Sequence, residues 1–173
     1  FDYGIGRLSF FWKRARAIPA DRTIEALLAF SGADKVRVDA TTIRKADPRV
    51  QVDVGGSAKG AAANAIAAAL RCANARCAQV NLGGNLYMPG THPSGRDWRV
   101  RVRVPDGLAA SQPKLEVRDS SVVTSGSYER YVEIDGKRYQ HIVDPRTGWP
   151  STSDVVSATV VGASSLTAGL LAT

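Results

Sequence analysis

Apolar and polar residues alternate most regularly over residues 98–104. There Trp98, Val100, Val102 and Val104 fall on one face, and Arg99, Arg101 and Arg103 on the other. A period of two with one charged face predicts an antiparallel strand covered on one side only. The same period, in shorter runs, predicts strands at residues 36–38, around Ile43, at 50–54, 79–82, 85–88, 115–117, 122–124 and 155–161. Residues 131–134 and 138–142 form a further pair around Asp135-Gly136, a strong signal for a two-residue hairpin turn. A turn is also expected at Pro105-Asp106-Gly107.

Helical spacing is sparser. Ile24, Leu27 and Leu28 recur at helical intervals after Pro19-Ala20-Asp21, with Asp21 as expected N-cap and Gly32 as stop. Residues 61–70 are rich in alanine and predict a closely packing helix. A last helix is expected to start near Ser164-Ser165, and residues 1–12 read as a loop entering an aromatic-rich segment. Strands and helices come in blocks instead of strict strand–helix–strand alternation. That predicts an α+β fold, mostly antiparallel sheets with a few packing helices.

Composition narrows the class only a little. A chain of 173 residues, 44% hydrophobic and 23% charged, fits one globular domain spanning residues 1–173, with both ends read as cut. No apolar run approaches the roughly 20 residues needed to cross a bilayer. The net charge of +7 is compatible with phosphates, nucleic acid or an anionic surface. The Arg99, Arg101 and Arg103 face carries no interleaved stacking aromatics, so nucleic acid is not expected as a partner. Cys72 and Cys77 have no second pair or histidine cluster and give a poor zinc signal; a disulfide and two unrelated thiols both remain open.

Three stretches carry candidate chemistry. Residues 50–54 run into Gly55-Gly56-Ser57-Ala58-Lys59-Gly60 and then the alanine-rich helix. Strand, glycine-rich loop and helix present backbone N–H groups to an anion, with Lys59 adding a point charge; a plain tight turn fits equally well. The glycine spacing is neither that of the dinucleotide fingerprint nor that of the Walker loop. Asn81-Leu82-Gly83-Gly84-Asn85 places a second glycine pair inside a strand, which marks a bulge, a close approach or simple packing. His141, between Tyr139 and Asp144, suits a base that takes a hydroxyl proton, or else a hydrogen-bonded core histidine. His92 reads as a loop residue, and neither Thr124 nor Ser127 has a nucleophile-elbow setting.

In order along the chain, Phe1-Asp2, residues 53–60, Val80-Asn81-Leu82-Gly83-Gly84, Thr124-Ser125-Gly126-Ser127-Tyr128-Glu129-Arg130 and His141-Ile142-Val143-Asp144-Pro145-Arg146-Thr147-Gly148 resemble the ApbE family of FAD:protein FMN transferases. The resemblance implies an ApbE-like α+β fold. It implies a flavoprotein-type transferase that moves FMN from FAD to a threonine hydroxyl of a target protein, releasing AMP and depending on magnesium. By residue match, His141 is the expected base. Phe1, Asp2, Asp53, Lys59 and Ile142 are expected FAD contacts, and the Gly56 carbonyl and Thr173 expected magnesium ligands. The implied partners are FAD and an acceptor protein, and the implied location is the periplasm or another extracytoplasmic, membrane-associated site; oligomeric state stays open. The chain departs from the pattern at Gly169, where a metal-binding Asp is expected, and at Asn64, Ala61 and Asn85. Those departures keep two alternatives in view: a non-catalytic flavin-binding module, and an FAD pyrophosphatase with a decayed metal site.

Overall fold

A computed structural model describes residues 2–105 and 112–173. Phe1 and the predicted turn at Asp106-Gly107 lie outside the described residues. The chain forms two compact units, each built from separated segments: Phe1–Val54 with Ser127–Val156, and Gly55–Gly126 with Ser157–Thr173. The predicted class holds, with short helices beside antiparallel strand pairs.

In the first unit, α1 (Gly6–Trp12) and α2 (Asp21–Leu28) pack on each other and on the hairpin of β8 (Tyr131–Ile134) with β9 (Lys137–Gln140), while a second hairpin, β1 (Val36–Val38) with β2 (Ile43–Lys45), is largely exposed. The expected loop over residues 1–12 is in fact a 3-10 turn, Tyr3–Ile5, leading into α1. The Asp2 carboxylate accepts from the Gly4 amide at 2.7 Å and the Ala33 amide at 2.9 Å, which caps the entry to this helical segment. Leu8 and Trp12 are one turn apart and both buried, so α1 presents one apolar stripe inward. They join Ala15, Ile24, Ile134 and Val143 in a core flanked by Tyr139 and Trp149. Trp12 stacks on Tyr139 with ring centroids 5.6 Å apart, and its Nε1 donates to the Gly148 carbonyl at 2.8 Å. Gly148 sits at φ 74°, and a Cβ there would lie 2.7 Å from Ile24 Cγ2.

Three expectations for this unit are corrected. Residues 50–54 alternate but belong to no strand. The Gln51 carbonyl accepts from the Gly6 amide, and the Asp53 amide donates to Tyr3, so the segment is tied to the N-terminal turn and not to a ladder. Asp21 is the first helical residue of α2, whose N-cap, Ala20, makes no side-chain cap. The helix ends at Leu28, ahead of Gly32. Asp135-Gly136 turns β8 into β9 as expected, with positive φ at both residues, 51° and 74°.

The second unit is a four-stranded antiparallel sheet in the order β10 (Ser157–Gly162), β7 (Ser120–Gly126), β4 (Asn85–Met88), β3 (Val80–Leu82). Helix α3 (Ala58–Cys72) buries Ala63 and Ala67 against Val80 and Tyr87. Small side chains on that face let α4 (Ser165–Ala172) come close. A Cβ on Gly60 would lie 2.6 Å from both the Ser165 carbonyl oxygen and Leu166 Cα. Asn64 clamps the two helices, accepting from the Ser165 amide at 2.9 Å and donating to Ser164 Oγ at 3.0 Å. A hairpin of β5 (Trp98–Arg101) and β6 (Lys114–Val117) closes a second core of Met88, Val100, Val117 and Val122. Gly83-Gly84 is not a bulge within one strand: with φ of 59° and 91° it is the turn joining β3 to β4. Cys72 and Cys77 are both free thiols.

Candidate functional site

The sequence-predicted residues divide between the units. Asp2, Asp53, His141 and Ile142 lie in the first, and Gly56, Lys59, Gly169 and Thr173 in the second.

In the first unit, the Asp53 carboxylate faces Lys13 Nζ at 3.6 Å, a cation that no motif singles out. Asp2 spends its carboxylate on the helical entry described above. His141 follows β9, where its backbone amide donates to the Arg130 carbonyl and its Nδ1 lies 3.0 Å from that same oxygen. A carbonyl accepts and cannot donate, so Nδ1 carries the proton of the neutral ring and Nε2 bears the lone pair. The tautomer suited to taking a proton at Nε2 is thus fixed by one backbone oxygen. Beyond Ile142, whose carbonyl accepts from Ser151, the chain enters the turn of Asp144 and Arg146. Arg146 Nη2 reaches Asp144 Oδ2 at 2.6 Å. Its hydrogen bonds, joined by the Arg146 amide, lower the Asp144 carboxyl to about 2.

In the second unit the two glycine pairs meet through a side chain. Lys59, in the first turn of α3, donates from Nζ to the Gly83 carbonyl at 3.3 Å. Helix α3 has no side-chain cap at Ser57, so its leading amides remain helix-end donors. A second cluster surrounds Gly169. Thr173 Oγ1 donates to the Gly169 carbonyl at 3.0 Å and lies 3.3 Å from Ser125 Oγ. A Cβ built on Gly169 would sit 3.2 Å from the Gly56 carbonyl oxygen and 3.8 Å from Asn85 Nδ2. Position 169 therefore aims at Gly56, so the two ends of the unit's sequence converge on one point. The Ser125 hydroxyl, which carries no sequence signal of its own, belongs to this cluster.

The Gly169 cluster lacks the charged oxygens that a hard dication favours. Magnesium favours charged oxygen donors in an octahedral shell. The cluster offers a carbonyl, two hydroxyls and an amide NH₂, and no group of three or more His, Cys, Asp or Glu side chains placed to hold a metal exists among the described residues. As built, these residues do not fit magnesium. Elsewhere in the unit, Lys59 and the helix-end amides of α3 favour negative charge.

The ApbE family model matches residues 1–173. The chain is 34% identical over 178 residues to an FAD:protein FMN transferase of Vibrio cholerae, covering 99% of this chain and 53% of that protein. It is 40% identical over 142 residues to one of Treponema pallidum, covering 76% of this chain and 39% of that protein. Among solved structures, the ApbE protein of Thermotoga maritima superposes with a TM-score of 0.88 at 30% identity, covering 99% of this chain and 57% of that one. The flavin transferase ApbE of Vibrio cholerae gives 0.87 at 32% identity, covering 99% and 56%. The chain spans about half the length of the curated relatives it matches. With a family match from first residue to last, and the strand order and glycine turns laid out above, the chain belongs to the ApbE family.

Proposed function

We propose that the protein carrying this chain transfers FMN from FAD to a hydroxyl of an acceptor protein, by its resemblance a threonine, and releases AMP. The observation that carries this reading is the whole-length family match, with relatives named FAD:protein FMN transferase. In this reading Nε2 of His141 takes the acceptor's proton as its oxygen attacks the phosphorus on the FMN side of the pyrophosphate. The new O–P bond replaces the bond to the AMP phosphate, and AMP leaves with the electron pair. Lys59 and the α3 amides offset the phosphate charge. Asp2, Asp53 and Ile142 belong to the flavin contacts of the same reading, as does a location outside the cytoplasm. Magnesium is implied by the resemblance, but no step is assigned to it because the Gly169 cluster lacks a carboxylate.

The test uses the full-length protein with FAD and host membrane proteins, reading covalent flavin by in-gel fluorescence and AMP by chromatography. Both signals are expected from wild type, and His141→Asn should lower the rate by about 10²–10⁴-fold. A wild-type protein that yields neither signal overturns the transferase reading. Gly169 favours one second reading, a flavin-binding module without turnover; it predicts FAD binding with no AMP. AMP without labelled protein would indicate hydrolysis instead.

A further inference from the structure

The first unit has a cleft that the flavin reading does not use. It has a volume of about 540 Å³ and is lined by Arg7, Phe10, Phe11, Arg14, Arg16 and Leu27 among others, with Gln51 at one edge. That volume falls within the roughly 300–1,000 Å³ typical of ligand sites. Among the described residues, no Asp or Glu lines it and none of its three arginines enters an ion pair. Arg7 Nε is buried without a hydrogen-bond partner, while its Nη1 reaches only the Arg49 carbonyl at 3.3 Å. The Arg14 guanidinium lies 3.7 Å over the Phe10 ring, which holds a charged plane at the rim although Phe10 is 53% exposed. Arg16 Nη1 donates to the Ala15 carbonyl at 3.4 Å.

We infer that this cleft docks an acidic segment of the acceptor protein, with an apolar side chain of that segment set between carboxylates. The inference rests on the transferase reading, which requires a protein to be held while its hydroxyl reacts. Charge complementarity names the occupant. The guanidiniums come from residues seven and nine positions apart along α1 and the loop after it, so they meet several spaced anions more readily than one phosphate group. The floor of Phe11 and Leu27 offers apolar burial that inorganic phosphate would leave uncovered. Guanidinium forks match carboxylates in a bidentate manner. The cleft also adjoins the proposed flavin residues: Gln51 lies two residues from Asp53, and Lys13, the partner of Asp53, is next to Arg14.

The test is fluorescence anisotropy on the full-length protein with a fluorescein-labelled peptide of alternating Glu and Leu, against its Lys and Leu counterpart. The acidic peptide should bind and the basic one should not. Arg14→Glu with Arg16→Glu should weaken binding at least tenfold. Both residues are exposed, so the fold tolerates reversal, and Phe10→Ser provides an independent second variant with the same expected direction. FAD affinity should be unchanged in all of them. Peptide affinity unmoved by these substitutions, or peptide displaced by inorganic phosphate or ATP, would overturn the proposal. Because peptide binding is read without FAD, an inactive wild type that still binds the peptide counts against the transferase reading alone. Normal transfer with an unchanged acceptor KM after charge reversal counts against the docking cleft alone.

Discussion

Restoring a carboxylate at position 169 gives the sharpest check on the second unit. Gly169 is buried in α4, with its missing Cβ 3.2 Å from the Gly56 carbonyl oxygen. In Gly169→Asp, with no metal present, a partly buried carboxylate would face that carbonyl and the Thr173 hydroxyl. The cost of such an imperfectly paired group is about 1–3 kcal/mol, partly offset by the Asn85 amide as donor. For a chain of this size each 1 kcal/mol moves Tm by about 2–4 °C, so the variant should melt several degrees below wild type in EDTA. Magnesium should then reverse the loss, since the carboxylate, the Gly56 carbonyl and the Thr173 hydroxyl together make a usable oxygen set. At a hundredfold excess over its Kd the ion would add about 2.7 kcal/mol, or roughly 5–10 °C. Differential scanning fluorimetry in EDTA and in magnesium chloride reads both arms. Wild type should show no magnesium-dependent shift. A wild-type shift as large as that of the variant, or a variant blind to magnesium, would refute the account of this cluster.

Other outcomes follow from single contacts. Gly60→Ala should lower the urea midpoint by the equivalent of about 1–3 kcal/mol, because its Cβ meets the α4 backbone at 2.6 Å; unchanged stability would show that the helices can separate cheaply. Trp12→Phe removes the donor to the Gly148 carbonyl and part of the stacked ring, and should cost about 2–4 kcal/mol by chemical denaturation. Asp144 is lowered from 3.8 to about 2, first by its side-chain hydrogen bonds from Arg146. A depressed carboxyl contributes its stability fully above the unfolded value and loses it as pH falls through the folded one, here between about pH 4 and pH 2. Stability curves of wild type and Asp144→Asn should therefore converge across that window; parallel curves would deny Asp144 a share in acid sensitivity.

Much of this was legible because residue types state a local requirement. Asp135-Gly136 demands positive φ twice, and the hairpin forms; the alanine run of α3 specifies a helix that packs closely. What misled was local pattern without a local cause. Residues 50–54 alternate like a strand, yet their amides and carbonyls are claimed by Tyr3 and Gly6, a pairing across more than forty residues that alternation cannot reveal. Gly4 and Gly6 argue against helix, yet α1 forms because Asp2 caps its approach and Trp12 finds partners far along the chain. Gly83-Gly84 looked like an interruption because the strands on both sides share one apolar pattern; only the pairing of Val80 with Tyr87 shows a reversal. The cluster at Gly169 was reachable through motif order alone, since hydroxyls of Ser125 and Thr173 carry no signature of their own.

The core around Trp12 also sets a schedule for synthesis. Its partners Tyr139 and Trp149 are made more than 120 residues later, which at about 5–20 residues per second is a delay of roughly 6–30 s on the ribosome. Through that interval Leu8, Trp12 and Ile24 have been translated without the strands that bury them. The continuous stretch from Gly55 to Gly126 can meanwhile pair β3, β4 and β7. The nascent chain thus passes through a stage with a ready sheet and an apolar, arginine-rich segment translated before it, the stage at which a holding chaperone would be of most use.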